Sequence, residues 1–213
     1  MTDDTRRRLL EAAGEVFAER GFDSATIREI CERAEANIAS VNYYFGDKQR
    51  LYIDAVREAQ CSRMAQVPMP ADDPAVPADE RLRGFIHTML SRMIYAERPA
   101  WHLGLMLREL SHPTAAGAEI VEDYIRPMAE QLEQILVEIL PEGTPPEKVW
   151  LTGFSIVGQC LFYYVHQPIA ELLMGRDAYA ALSIDKLADH IADFTLAALG
   201  YGQPLARETM ARG

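Results

Sequence analysis

The sequence predicts an all-α protein, and three observations carry that expectation. Apolar residues recur at i, i+3, i+4 and i+7 in one segment after another, the signature of a helix with a buried face. Strand-like alternation is hard to find anywhere along the chain. Residues that start and stop helices fall at the ends of the periodic stretches. With 213 residues, 49% hydrophobic and 25% charged, the chain has an ordinary globular composition and can bury a sizeable core.

The first helix opens at Arg6, Arg7 and Arg8, with Leu9, Leu10, Ala13, Val16 and Phe17 inward, and Gly21 stands at a helix-stop position. Those arginines are candidates for a nucleic-acid phosphate or minor groove, against the plainer reading of a solvated basic helix start. Thr26 followed by Glu29 forms a capping box for a second helix. Its inward residues are Ile27, Ile30, Cys31 and Ala34. After Glu35-Ala36, Asn37 caps a third helix running to about Tyr44, with Val41 and Phe45 inward. At about 100° per residue, Ala39, Ser40 and Tyr43 then point outward, with Asn42 and Tyr44 on the shoulders. A short helix presenting small, polar and aromatic groups suits a DNA major groove.

Asp47 caps a fourth helix, expected to run to about Met64 with Leu51, Ala55 and Ala59 inward. The proline- and acid-rich stretch from Val67 to Glu80 is the one plausible linker. Beyond it, Leu82, Phe85, Ile86, Met89, Leu90, Met93 and Ile94 form a helical stripe, and Pro99 starts the next segment, which stops before His112-Pro113. A long stripe follows from Val121 to Ile139, which Pro127 should kink or split. Val149 to Val165 is apolar nearly all round, as befits a helix at a domain centre or one covered by a second chain. Gly153 and Gly158 would there permit close helix approach. A final helix, about Ile184 to Leu199, carries Leu187, Ile191, Phe194 and Ala198 on one face and Ala188, Ala192, Thr195 and Leu199 on another. Two apolar stripes call for two partners, the chain's own core and a symmetry mate. After Gly200 the tail is expected to be loosely ordered.

Three blocks, Ala12–Phe22 (AAGEVFAERGF), Ala25–Ile30 (ATIREI) and Val41–Tyr52 (VNYYFGDKQRLY), together resemble the DNA-binding domain of the TetR family of transcriptional regulators over about Leu9 to Tyr52. Asn42 stands where that family usually has Tyr, which leaves base preference undetermined. The resemblance implies a helix-turn-helix domain, residues 1–48, followed by a helical ligand-binding and dimerisation domain, residues 49–213. In that division residues 49–65 form a connecting helix and 66–79 the linker. It also implies that Lys48 contacts a DNA phosphate and that the helices at Val149–Val165 and Ile184–Leu199 form a dimer interface. The expected DNA face is then Arg28, Ala39, Ser40, Asn42, Tyr43, Tyr44 and Lys48. An apolar or aromatic effector would meet Met89, Met93, Trp101, His102, Met106, Tyr124 and Phe154, since methionine and aromatic walls adapt to such ligands. Methionine at helical spacing is also ordinary core.

The expected partners are a double-stranded DNA operator and a second copy of the chain. Charge sets a condition on the first. The formal net charge is −11, and residues 1–48 hold seven Lys/Arg against ten Asp/Glu. DNA affinity must come from locally placed groups, and non-specific binding should be weak. No cofactor or metal is expected. One Glu-x-x-H spacing, Glu109 to His112, occurs without the second copy that a di-iron bundle needs, and a cap at a helix end explains it better. No phosphate-cradling loop or nucleophile motif appears, which disfavours a helical-bundle enzyme. A regulator answering to a protein partner, or to nothing, stays open beside ligand control. The charged N-terminus lacks the apolar region of a secretory signal, no uncharged apolar run reaches the ~18–20 residues of a membrane span, and three scattered cysteines suit a reducing cytoplasm.

Overall fold

Side-chain caps set where the early helices begin in the computed structural model, which describes residues 2–94 and 99–201. Helix α1 spans Thr2–Ser24, with Gly21 breaking its regularity in the left-handed region at φ 78°. Thr26 accepts from the Glu29 amide to start α2 (Ile27–Arg33), and Asn37 accepts from the Ser40 amide to start α3 (Ile38–Tyr44). Asp47 accepts from the Arg50 amide at 2.8 Å and starts α4 (Lys48–Gln66). Each such cap contributes about 1 kcal/mol.

The later helices are α5 (Ala78–Ile94), α6 (Ala100–Ser111), α7 (Ala115–Ile120), α8 (Arg126–Ile139), α9 (Pro146–Val165), α10 (Gln167–Met174), α11 (Arg176–Ala180) and α12 (Ile184–Ala198). No strand occurs among the described residues. Pro127 does split its helix. A π-helical turn at Val121–Ile125 joins α7 to α8. Proline offers no N–H to the carbonyl four residues back, and the widened turn lies where that bond is missing. The long stripe is accordingly interrupted: Val121 is exposed, whereas Leu132, Ile135, Leu136 and Ile139 are buried.

The chain packs as two compact units, one of residues 1–65 with 97–125 and the other of residues 66–96 with 126–213. This grouping differs from a division at residue 48, for a reason visible in α1. Leu9, Leu10, Ala12, Ala13, Val16 and Phe17 are all buried, more apolar surface than α2 and α3 alone can cover. Helices α4 and α6 complete the core, with Leu51, Tyr52, Ala55, Val56, Trp101 and Leu105 in the same apolar cluster. Phe17 and Tyr52 meet edge-on at 4.8 Å between centroids. The buried Glu109 carboxylate accepts from the Tyr52 hydroxyl, and also from the Thr114 amide and hydroxyl. It is a structural acceptor in that core, and His112 is the C-cap of α6.

In the second unit α5 packs against α8, α9 and α12, so α5 holds the central place that the all-apolar α9 was a candidate for. Leu82, Phe85, Ile86, Met89 and Leu90 supply its core side. The expected linker is held in place. Arg92 donates to the Val67 carbonyl, Gln131 to the Pro70 carbonyl, and Arg81 to Val76, Asp72 and Glu138. Gly153 allows the close approach expected of it, facing Leu132 and Leu136 of α8, whereas Gly158 opens on empty space. On α12 the buried face runs through Leu187, Ala188, Ile191, Ala192, Thr195 and Leu196, while Phe194 and Ala198 are exposed. The tail beyond residue 201 lies outside the described residues.

Candidate nucleic-acid interface

The turn between α2 and α3 is tight because Glu35 takes a left-handed conformation, φ 48°, and the Ala36 amide donates to the Cys31 carbonyl. Val41 and Phe45 then anchor α3 inward, at 0% and 4% exposure. That anchoring fixes the rotation of the helix and presents the other side. Tyr43 is 78% exposed, Ala39 and Asn42 are exposed, and Ser40 is half-buried with its hydroxyl on Asn37. Tyr44 is half-buried against the core, and its ring meets that of Tyr43 edge-on at 4.9 Å. Of the residues read as outward from helical geometry, Ala39 and Tyr43 are exposed and Ser40 is only half so, while Asn42 on the shoulder and Ile38, outside that set, are exposed as well.

The charged members are more constrained than spacing alone implies. Arg28 is exposed but paired with Glu32 one turn on, at 2.9 Å. Lys48 is half-buried: its ammonium donates to the Asp23 carbonyl at 3.3 Å and lies 4.7 Å over the Phe22 ring. It ties the end of α1 to the start of α4. Arg6 pairs with Asp54 at 3.2 Å and stacks over Phe45, Arg7 pairs with Asp4, and Arg8 donates to the Ala34 carbonyl. Sequence reasoning passed over Arg50, which is exposed on the first turn of α4.

The residues named for an effector are distributed between the units. Trp101, His102 and Met106 are buried in the first, with Tyr124 packed against the same core. Met89 is buried and Met93 half-buried in the second unit, where Phe154 is 62% exposed. No group of three or more His, Cys, Asp or Glu that could hold a metal occurs among the described residues. Nor is any described helix long and apolar enough to cross a membrane.

A three-helix head whose last helix is capped, anchored by two apolar residues and otherwise exposed defines a helix-turn-helix DNA-binding regulator. Residues 9–55 match the bacterial regulatory proteins of the tetR family, and residues 78–199 match the C-terminal domain of the HTH-type transcriptional dual regulator CecR. The chain belongs to the TetR family of transcriptional regulators, and it is not an enzyme. It is 36% identical over 64 residues to the HTH-type transcriptional repressor AcnR of Corynebacterium glutamicum, 30% of this chain and 34% of that one. The match thus spans about a third of that relative's length. With the dual regulator CecR of Shigella flexneri the identity is 25% over 190 residues, 83% of each chain. A TetR-like transcriptional regulator from Rhodococcus sp. RHA1 superposes with a TM-score of 0.61 at 20% identity, covering 92% of this chain and 96% of that one. At that identity the likeness speaks to the fold alone.

Proposed function

We propose that the chain is a repressor that binds a near-palindromic operator as a homodimer, reading bases with α3. The observation that carries the reading is α3 itself: Val41 and Phe45 hold it down while Ala39, Asn42 and the 78%-exposed Tyr43 face away from the core. Ser40 and Tyr43 reach base edges or adjacent phosphates, and Tyr44, Lys48 and Arg28 serve the backbone beside them. Lys48 keeps donors to spare, because an ammonium has three and one carbonyl occupies one. Binding of a duplex from the region upstream of the gene tests this, in gel shifts at low salt. Tyr43→Ala should cost ~1–3 kcal/mol on that duplex and relax preference at one position. Unchanged affinity would place the reading face elsewhere.

The dimer is proposed through α9 and α12. Support comes from the apolar surface that α9 leaves uncovered in one chain: Leu151 and Phe154 are 59% and 62% exposed, with Trp150 and Phe162 also open. Phe194 on α12 and Leu172 and Leu173 on α10 add to the exposed apolar surface of the second unit. Such surface on a water-soluble chain calls for a partner. Control by a small apolar or aromatic effector is proposed to act on Trp101, His102, Met106 and Tyr124 in the first unit, with Met89, Met93 and Phe154 as the second unit's candidates. An effector loosens DNA only by as much as it prefers the non-binding state, ~1–3 kcal/mol of coupling. A compound that raises the melting temperature, titrated with and without operator, should bind 5–150-fold more weakly to the DNA complex, roughly the same coupling. Equal affinities would leave the regulator without that control.

A further inference from the structure

We propose that Arg50 is a DNA-phosphate anchor of this chain, gripping the backbone beside the bases that α3 reads; this rests on the DNA-reading surface proposed above. The other cations near the reading helix already hold partners. Arg28 is bound to Glu32, Arg6 to Asp54, and Arg57 to Glu119 at 2.8 Å. Lys48 is turned to the Asp23 carbonyl and the Phe22 ring. Asp54 lies one helical turn beyond Arg50 and would be its ordinary i,i+4 partner, but Arg6 occupies it. Among the first unit's arginines and lysines whose side chains the structure describes, Arg50 is the one with neither an ion pair nor a carbonyl partner.

Its position fits the role. The Arg50 stem runs past Gly46, where an added Cβ would stand 3.8 Å from its Cδ, and the residue is exposed at the corner between α3 and α4. It shares an open depression there with Tyr44 and Ile53, and with Asp54 and Glu119, whose charges are matched by Arg6 and Arg57. A guanidinium keeps its charge at any working pH and matches a phosphate with two parallel donors. In a head with more acidic than basic residues, one unpaired guanidinium is a large share of the charge available to DNA.

The test uses the full chain, the duplex it selects from a random library, and a scrambled duplex of the same length. Affinity is measured from 50 to 200 mM KCl for the wild type, Arg50→Gln, Arg50→Lys and Tyr43→Ala. Arg50→Gln should weaken both duplexes alike and flatten the salt slope by about 0.9 per protomer. Over that fourfold salt range the wild type then loses about 3.5-fold more affinity per protomer than the variant does. Arg50→Lys should retain the slope. An unchanged slope in Arg50→Gln overturns the anchor. If Tyr43→Ala meanwhile loses its preference for the selected duplex, the reading surface stands and only the anchor falls. If Tyr43→Ala keeps that preference too, the reading surface itself is refuted.

Discussion

Gly14 lies inside α1, where helix propensity alone favours alanine by ~1 kcal/mol. The packing says the opposite. A Cβ at residue 14 would stand 2.4–2.6 Å from three atoms of the Trp101 indole, well inside van der Waals contact. The ring cannot swing clear, since Trp101 is 7% exposed and belongs to the apolar core of the first unit. Nearby, Gly104 of α6 would bring a Cβ to 3.3 Å from that of Ala18, so α1 and α6 approach closely along a run of small residues. Arg108 secures the same seam by donating to the Ala18 and Glu19 carbonyls. Overpacking a rigid site costs ~1–3 kcal/mol, with this geometry at the upper end. Gly14→Ala should therefore lose about 1–2 kcal/mol net, or a few degrees in Tm. Urea denaturation of Gly14→Ala, Trp101→Leu and the double variant reads this directly. In the Trp101→Leu background the alanine should become neutral or stabilising, the coupling expected of two residues in contact. Equal or greater stability of Gly14→Ala in the wild-type background would refute the packing argument.

Three further outcomes follow from the same structure. Leu151→Glu and Phe154→Glu place charge on the exposed face of α9, and each should give monomers in sedimentation at micromolar concentration with much weaker operator binding; dimers in both would move the interface elsewhere. Arg81 is almost fully buried and holds Asp72, Glu138 and the Val76 carbonyl, so Arg81→Met should destabilise by ~1–3 kcal/mol in urea denaturation and loosen the 67–77 segment to proteolysis. Burial pushes the Cys160 thiol up to about 12 and raises that of Cys31 as well. The thiolate is the reactive form, so raising the pH through the ordinary range near 8.5 should leave Cys160 unalkylated in the native protein, and peptide mapping after iodoacetamide at pH 8 to 9 checks it.

What was legible in the sequence was what local physics decides. The caps at Thr26, Asn37 and Asp47 act within three residues, and α2, α3 and α4 begin where they say. The exposure of Ala39 and Tyr43 on α3 followed from two anchors one turn apart, whereas Ser40 is half-buried with its hydroxyl on the Asn37 cap. Non-local facts were out of reach. Lys48 meets a carbonyl 25 residues away, and Asp54, the i,i+4 neighbour of Arg50, pairs instead with Arg6, 44 residues before Arg50. The two stripes of α12 adjoin one another, and periodicity does not say where the core draws its edge; it takes Leu187 and Ile191 of one with Ala188, Ala192 and Thr195 of the other and leaves Phe194 out. Helices α10 and α11 went unread, being only eight and five residues long with Gly175 between them at φ 88°. The effector set mixed buried residues of both units with an exposed Phe154, since burial belongs to the fold and not to residue type.

Selection from a random duplex library decides whether α3 reads DNA sequence in this chain. The purified full chain is incubated with a random duplex library at moderate salt, and bound DNA is sequenced over successive rounds, for the wild type and Tyr43→Ala in parallel. The wild type should enrich one motif, present as two inverted copies centred about one DNA turn apart or somewhat wider, ~34–36 Å at the least. Tyr43→Ala should relax it at one position in each copy. No enrichment over the input library, or an identical motif from both proteins, would mean that α3 does not read sequence through Tyr43.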